Sequence, residues 1–344
     1  MPVSARKVSF FSPIVLTLIV LAAWRFAALV PLPGIDAASL SERHVTLNSN
    51  LSIVALGIWP WFQALMLLEA ARIMLPRTMV ARLALDRHAA PFSRPVIVVA
   101  LLLAVFQAAG VTAALMSASD LVPQTDKAIQ IAMTASLTGG VALMMALARL
   151  IDERGMGGGF WIFMAAGPLL TLPSNAAGLF ANFEQGLIGP ERLVFTILSM
   201  VGIFAVVVFV LRARWRAKLP RLEPVIWPLF LAGLAMSLAL DAVILLMLPF
   251  SSINSLDLPI AILASEPVSS IIFVVAGCLF AARYARLEKS GILWLPSMLL
   301  VLLAVLPSAF RSLSGGEILL AGTDAIVVAA VAYSIIQTTQ LSPH

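Results

Sequence analysis

The sequence predicts an all-α membrane protein that crosses the bilayer about ten times, and three observations lead to this fold class. Of its 344 residues, 61% are hydrophobic and only 11% are charged, which lies well outside the range of soluble domains. About ten apolar runs have the roughly 20-residue length that a membrane-spanning helix needs. Positive charges gather in every second segment between those runs, as the positive-inside rule requires of a multi-pass protein.

The apolar runs define the predicted helices. We place them roughly at residues 10–31, 52–75, 95–116, 128–149, 160–181, 193–211, 225–249, 259–282, 291–310 and 318–338. Trp59 and Pro60 interrupt the second run, and the glycine-rich residues 155–159 open the fifth. Irregular backbone at membrane depth persists only where protein or a water-filled cavity satisfies its polar groups, so we expect a cavity between the helices.

The distribution of Lys and Arg predicts the topology. With the N-terminus inside, 17 of the 22 Lys and Arg residues fall in cytoplasmic segments. The outer segments hold only Arg43, Lys127, Arg192 and Arg311. We therefore predict that both termini are cytoplasmic. The net charge of +5 then reflects topology and contact with anionic lipid head groups, and nucleic acid is the weaker interpretation.

The polar stretches between the runs are too short to form a soluble domain. We predict one membrane domain over residues 1–344. Five runs precede and five follow the polar segment 182–192, which permits two halves of opposite orientation, roughly 1–185 and 186–344.

Three acids lie within the apolar runs: Asp241, Glu266 and Asp324. Each would cost about 2.5 to 3.5 kcal/mol if it faced lipid at the bilayer centre, so we expect all three to face the bundle interior. Two interpretations are open: the acids are protonated or bonded to neighbouring helices, or they line the cavity. Glu69 is weaker evidence, because Arg72 lies one turn away.

The sequence contains no recognisable catalytic or cofactor motif. His44, His88 and His344 are far apart in the chain, and Cys278 is the only cysteine, so neither a metal site nor an intrachain disulfide is expected. The glycine stretch lacks the Lys-Ser/Thr ending of a P-loop, and Phe160 stands where a dinucleotide fingerprint needs its third glycine. We expect no catalytic residue, metal or cofactor.

Several short blocks carry a resemblance to a known family. In chain order they are "RFAALVPLPGID" (25–36), "ALGIWPWFQA" (55–64), "AVFQAAGV" (104–111), "ERGMGGG" (153–159), "KSG" (289–291) and "AGTDAIVVAAVA" (321–332). Together they resemble the SecY family of protein-conducting channels, whose fifth helix begins E-R-G-I-G-N-G. This sequence departs from that motif at Met156 and Gly158. The resemblance implies two pseudo-twofold inverted halves of five helices each.

The resemblance also implies a pore, a lateral gate and a helix start. The matching pore-ring positions are Phe62, Met66, Met164, Pro168, Phe230 and Val327. Gln107 matches a polar residue of the lateral gate. Gly233, in the seventh predicted run (225–249), stands where the family has a small hydroxyl residue. The start of the fifth helix comprises Glu153, Arg154, Gly155, Gly157 and Gly159.

Three segments are shorter than the family pattern. Residues 37–54 are too few for a full plug helix, and the loops at 212–224 and 283–291 are short where the family grips a ribosome or a SecA motor. The remaining candidates for docking a cytosolic partner are Arg212, Arg214, Arg216, Lys218, Arg221 and Lys289. The alternative is a solvated positive-inside loop.

The resemblance implies a compact channel subunit of a bacterial inner membrane that passes or laterally inserts unfolded polypeptides. Its expected partners are a SecE-like small membrane subunit, a SecA-like motor or ribosome, and membrane lipids. A second hypothesis keeps the ancestry but makes the protein a non-conducting scaffold or insertion factor for a few clients, because the plug and docking loops are reduced. A third is a small-solute carrier that couples ions through Asp241, Glu266 and Asp324.

Overall fold

A computed structural model of the chain describes residues 11–35, 51–82, 91–117, 126–216, 223–247, 266–287, 294–314 and 322–340. Eleven helices lie in these residues: α1 (Phe11–Ala27), α2 (Trp59–Met74), α3 (Arg77–Arg82), α4 (Arg94–Ser117), α5 (Lys127–Arg154), α6 (Gly159–Glu184), α7 (Pro190–Arg216), α8 (Glu223–Met247), α9 (Glu266–Leu287), α10 (Trp294–Ser314) and α11 (Gly322–Gln340). The predicted all-helical class is confirmed for this part of the chain.

Each predicted run overlaps one long helix, and α3 is a short additional helix. Among the described residues, five helices are long and apolar enough to cross a membrane, namely α4, α5, α6 and the segments Pro190–Val210 of α7 and Val268–Leu287 of α9. Shorter apolar stretches lie in α1, α8, α10 and α11. The ten-span layout therefore remains a prediction. α5 and α7 continue past their predicted ends. The prediction followed the apolar runs, whereas the last turns of these two helices are polar.

The second run differs from its prediction. Residues 53–58 form turns, and α2 begins at Trp59 with Pro60 in its first turn. A proline there is compatible with the helix, since the first amide groups of a helix have no intrahelical acceptor. The expectation that Trp59 and Pro60 interrupt a helix was therefore wrong: these two residues start one.

The chain divides into two compact units, Met1–Met164 and Ala165–His344, and the division falls within α6. In the first unit, α4 packs against both α2 and α5, and α5 also packs against α1. The predicted halves, with a boundary near residue 185, remain a prediction.

A backbone bridge organises one end of the first unit. The Leu32 amide donates to the Leu51 carbonyl at 3.0 Å, and the Ile53 amide donates to the Val30 carbonyl at 3.1 Å. Leu32 is buried in a cluster with Ala108 of α4 and with two residues of α5, Met133 and Leu137. The bridge thus fixes the irregular segment before α2 against α4 and α5.

In the second unit, α10 packs against α7, α8, α9 and α11, and further contacts join α8 to α9 and α7 to α11. Residues 325–331 of α11 are all buried, so this helix is covered on every face. α6 contains Pro168 and Pro173, which cannot donate backbone hydrogen bonds. Thr171 donates its hydroxyl to the Pro168 carbonyl at 3.0 Å, a bond to the preceding turn that Thr side chains commonly make in helices.

Candidate functional site

The turn between α5 and α6, residues 155–158, is the best-defined part of the predicted site. α5 ends at Arg154, and the Gly155 amide still donates to the Ile151 carbonyl at 2.9 Å. Gly157 and Gly158 have φ angles of +80° and +63°, in the left-handed region that most side chains avoid. Asn is the side chain that tolerates this region best. The family's Asn and this chain's Gly158 therefore suit the same backbone conformation.

The turn leaves none of its amide groups unpaired from Gly155 to Gly159. The Gly155 and Gly157 amides donate to the Ile151 carbonyl, at 2.9 and 3.2 Å. The Gly158 and Gly159 amides point at the Asp152 carboxylate, at 2.7 and 3.4 Å. A carboxylate beside the first amides of a helix also complements the helix dipole. Asp152 therefore caps α6 from the last turn of α5.

The fifth amide uses a different helix. The Met156 amide donates to the hydroxyl of Thr17 in α1 at 3.2 Å. Sequence reasoning missed both side-chain acceptors of the turn, the Asp152 carboxylate and the Thr17 hydroxyl. An Asp just before a glycine-rich helix start is a recognisable cap, whereas nothing in the sequence links Thr17 to a turn 139 residues away.

Two glycines of this segment are required by close packing. A Cβ on Gly159 would lie 2.7 Å from the Ala148 carbonyl carbon, and one on Gly155 would lie 2.7 Å from the Thr17 hydroxyl oxygen. Real Cβ atoms do not approach other atoms this closely, so any larger residue would push the turn away from α5 or α1.

The two charges of the motif face outward. Glu153 forms an ion pair with Arg149, one turn earlier in α5, with 2.7 Å between the Arg149 Nε and the Glu153 Oε1. The Arg149 and Glu153 side chains are 63% and 54% exposed, respectively, and Arg154 is also exposed. An ion pair this exposed contributes little to stability.

The predicted ring residues of the first unit lie in α2 and at the start of α6. Phe62 and Met66 are buried, and Met164 is half-buried. The Phe62 ring lies 6.4 Å from the Phe160 ring, and Phe160 in turn meets Trp61 edge-on at 4.8 Å. The Trp61 indole donates to the Pro91 carbonyl at 2.8 Å. This aromatic cluster fixes the start of α2 beside the start of α6.

The other predicted ring residues belong to the second unit. Phe230 and Val327 are buried, in α8 and α11, and Pro168 is half-buried in α6. Phe230 meets the Trp227 ring edge-on at 6.2 Å. All six ring residues are apolar, as a hydrophobic constriction requires. Their convergence into one ring remains a prediction.

The predicted gate residue Gln107 of α4 has a partner that the prediction did not include. Its side-chain amide donates to the side-chain carbonyl of Gln63 in α2. Gln63 is visible in the sequence as a polar residue in the apolar "WPWFQA" run. At Gly233, an added Cβ would meet Phe273 at 3.9 Å, an ordinary contact. Packing therefore leaves room for the small hydroxyl that the family pattern places there.

The remaining predicted residues are the cations proposed for docking and the three acids of the apolar runs. Arg212 is exposed in α7. Four more predicted residues lie in helices, although their side chains are outside the described part: Arg214, Arg216, Asp241 and Glu266. Three lie outside the described residues altogether: Lys218, Arg221 and Lys289. Asp324 is half-buried in the first turn of α11.

Glu69 of α2 forms an ion pair with Arg72, the residue one turn away. The Arg72 guanidinium lies 2.6 Å from the Glu69 carboxylate, whose side chain is fully buried. Within the described residues, no cluster of three or more His, Cys, Asp or Glu side chains could hold a metal ion.

A groove of about 570 Å³ lies on the α4–α5 face, lined by Val105 of α4 and by residues of α5 that include Ile131, Thr134, Ala135 and Gly139. The groove contains none of the predicted site residues.

These features define an all-helical protein with membrane-length apolar helices and a tightly paired glycine turn at the start of its fifth long helix. The SecY family model matches residues 52–290. Because that match covers well over half of its length, the chain belongs to the SecY family.

Individual relatives match over a shorter range. Protein translocase subunit SecY of Streptomyces scabiei is 27% identical over 228 residues, which cover 58% of this chain and 52% of that protein. The subunit of the same name from Vibrio cholerae is 30% identical over 203 residues, covering 54% of this chain and 45% of that protein. The matched region thus spans about half the length of these curated relatives.

Solved structures are similar over nearly the whole chain. Sec61 in a canine ribosome–channel complex from the endoplasmic reticulum aligns over 99% of this chain and 95% of its own, with a TM-score of 0.61 and 13% identity. A protein-conducting channel gives the same four values. At this level of identity the likeness shows a shared fold.

Proposed function

We propose that this chain is a channel subunit of a protein translocase in a bacterial inner membrane. It passes unfolded polypeptides across the membrane or releases them laterally into it. The observation that carries the proposal is the family match over residues 52–290, which includes the glycine turn and five of the six ring positions. The turn supports it further, since Gly155, Gly158 and Gly159 meet the backbone demands of that motif in this chain.

The proposed conducting path is a ring of apolar side chains: Phe62, Met66, Met164, Pro168, Phe230 and Val327. A narrow apolar ring blocks ions by dewetting, yet it can deform around a peptide segment. Ten membrane spans in two inverted halves, with both termini in the cytoplasm, complete the proposed architecture.

The proposed partners follow from the same ancestry. A SecE-like small membrane subunit would hold the two halves together, and lipids would meet a client leaving through a gate that includes Gln107 and Gly233. The cations Arg212, Arg214, Arg216, Lys218, Arg221 and Lys289 are the proposed contacts for a ribosome or a SecA-like motor. Energy would come from that motor, from the ribosome or from the membrane potential.

Site-specific photocrosslinking tests the channel function. A photoreactive residue is placed at Met66 or Val327, and a secretory chain is stalled in membrane vesicles. Ile131, which is 70% exposed on α5, provides the control position outside the ring. We expect crosslinks from Met66 and Val327, none from Ile131, and none with a chain that lacks its signal sequence.

Two results would overturn the proposal. One is the absence of crosslinks at both ring positions while ordinary SecY in the same vesicles captures the same chain, which would favour a non-conducting scaffold. The other is equal crosslinking from Ile131, which would indicate contact along the outer surface and not passage through a ring.

A further inference from the structure

Helix α1 contacts the start of the proposed pore wall at two points. Thr17 contacts the α5–α6 turn through its hydroxyl group. Seven residues later on the same face of α1, Trp24 meets the Phe163 ring of α6 edge-on, with the ring centroids 5.6 Å apart. Phe163 directly precedes Met164, a proposed ring residue. α1 therefore lies alongside both the turn and the first residues of the helix that the turn begins.

The Thr17 hydroxyl is suited to holding the turn. It donates its proton to the Pro13 carbonyl one turn earlier, at 2.9 Å. That donation orients the hydroxyl, so that its oxygen can accept the Met156 amide at 3.2 Å. Thr17 is only 4% exposed, so little water can reach this oxygen to compete for the bond.

The Met156 bond differs from the four other amide bonds of the turn. Those four use acceptors from Ile151 and Asp152, which belong to the preceding helix turn. The Met156 amide alone bonds to a separate helix. Gly155 allows this contact, since a Cβ there would lie 2.7 Å from the Thr17 hydroxyl oxygen. The fold thus places a glycine where α1 needs to approach the turn.

We infer that Thr17 is a positioning residue: its hydroxyl fixes the α5–α6 turn against α1 and thereby sets where α6 and Met164 begin. The geometric part of this inference stands on the contacts alone. The effect on Met164 rests on the proposed channel function. Disrupting the bond should loosen the turn and displace Met164 from a passing chain without removing the other ring residues.

Amide hydrogen exchange at single-residue resolution on the full-length protein tests the geometric part. Thr17→Val keeps the shape of the side chain but removes the acceptor, whereas Thr17→Ser keeps the acceptor. We expect Thr17→Val to speed exchange of the Met156 amide by about tenfold, the equivalent of one lost net hydrogen bond. The Gly158 amide, which bonds to Asp152, should be unchanged. Thr17→Ser should behave as the parent protein.

The same variants test the functional part. In the crosslinking assay, Thr17→Val should lower client capture from Met164 several-fold relative to capture from Met66, and Thr17→Ser should restore it. A variant that merely folds poorly would lose capture at both positions equally.

Three results would overturn the inference: unchanged exchange at Met156 in Thr17→Val, identical exchange in the Ser and Val variants, or, in a Thr17→Val protein with the melting temperature of the parent, an unchanged ratio of capture at Met164 to capture at Met66. A parent protein that captures no client at either position would count against the channel function, while the exchange result would still decide the role of Thr17.

Discussion

In the described part of the first unit, a glycine lets another backbone segment come close at the α5–α6 turn and at Gly140 of α5, and the two places use glycine differently. In the α5–α6 turn, Gly157 and Gly158 adopt positive φ angles, and side chains supply three of the acceptor bonds. At the other place, the segment before α2 crosses α5 at Gly140. A Cβ there would lie 2.8 Å from the carbonyl carbon of Ile53 and closer still to its oxygen.

The crossing makes no special demand on the φ angle of Gly140, which lies within the regular helix α5. The segment that crosses α5 is held by backbone hydrogen bonds between residues 30–32 and residues 51–53, with main-chain carbonyls as the acceptors. The turn therefore depends on conformation, on side-chain acceptors and on the space around Gly155 and Gly159, whereas the crossing depends on space alone. We conclude that the crossing should be sensitive to the size of the side chain at position 140. The turn should be sensitive both to the size of its residues and to the loss of a polar acceptor.

The largest effect is expected at the crossing. Gly140→Ala places a methyl group against the Ile53 carbonyl and should destabilise the protein by about 3 kcal/mol, because one of two backbone segments must move. Thermal unfolding in a single detergent provides the measurement.

Gly139 offers a matched control one residue away. A Cβ on Gly139 would meet nothing within 4 Å, so Gly139→Ala should stabilise the protein by about 0.5 to 1 kcal/mol through the loss of backbone entropy in the unfolded chain. Equal melting temperatures for the two alanine variants would show that α5 and the segment before α2 are not in contact at Gly140.

The next largest effect concerns the acceptors of the turn. Asp152→Ala removes the cap from the Gly158 and Gly159 amides and should cost about 1 to 2 kcal/mol. Asp152→Asn keeps an oxygen acceptor and should lose only the charge interaction with the start of α6, about 0.3 to 1 kcal/mol. Unfolding midpoints of the two variants separate the hydrogen bond from the charge, and an Asn variant as unstable as the Ala variant would assign the whole effect to charge.

The sequence predicts the helices well because apolar length is a property of each segment by itself. It also predicts the glycine turn, since the "ERGMGGG" block differs in composition from its surroundings. It does not predict the crossing, because Gly140 sits in an ordinary apolar helix and its need for space comes from Ile53, far away in the chain. The helix start at Trp59 was missed for a related reason: the apolar content of residues 52–58 is the same in a turn as in a helix.

Some residues of the candidate site could be proposed from the sequence, and others could not. Positions such as Phe62 and Val327 could be proposed from the family resemblance, because their neighbours along the chain match short blocks of the family. Thr17 could not, since its role depends on an amide group that any residue other than proline at position 156 would provide. Gln63 lies between these cases: its polarity is visible in the sequence, but its partner Gln107 is not.

A smaller effect tests the conformation of the turn. With a φ angle of +63° at position 158 and open space around its Cβ position, Gly158→Ala should cost about 1 kcal/mol from backbone strain alone. Gly158→Asn restores the residue of the family motif and should cost only a few tenths of a kcal/mol, because Asn tolerates the left-handed region. If Ala and Asn gave the same unfolding midpoint, strain at this position would not be what selects the residue.

The smallest effect is expected where the motif faces solvent. Glu153→Gln breaks the ion pair with Arg149, but both side chains are more than half exposed. Such a pair in a helix contributes at most about 0.5 kcal/mol. Salt should screen even that amount, so the difference in unfolding midpoint between Glu153→Gln and the parent should shrink from low to high ionic strength. A loss as large as that of Asp152→Ala, unchanged by salt, would mean that Glu153 supports the turn through a buried contact. The expected small loss would instead separate the two neighbouring acids by role: Asp152 holds the helix start, and Glu153 keeps the charged end of α5 in solvent.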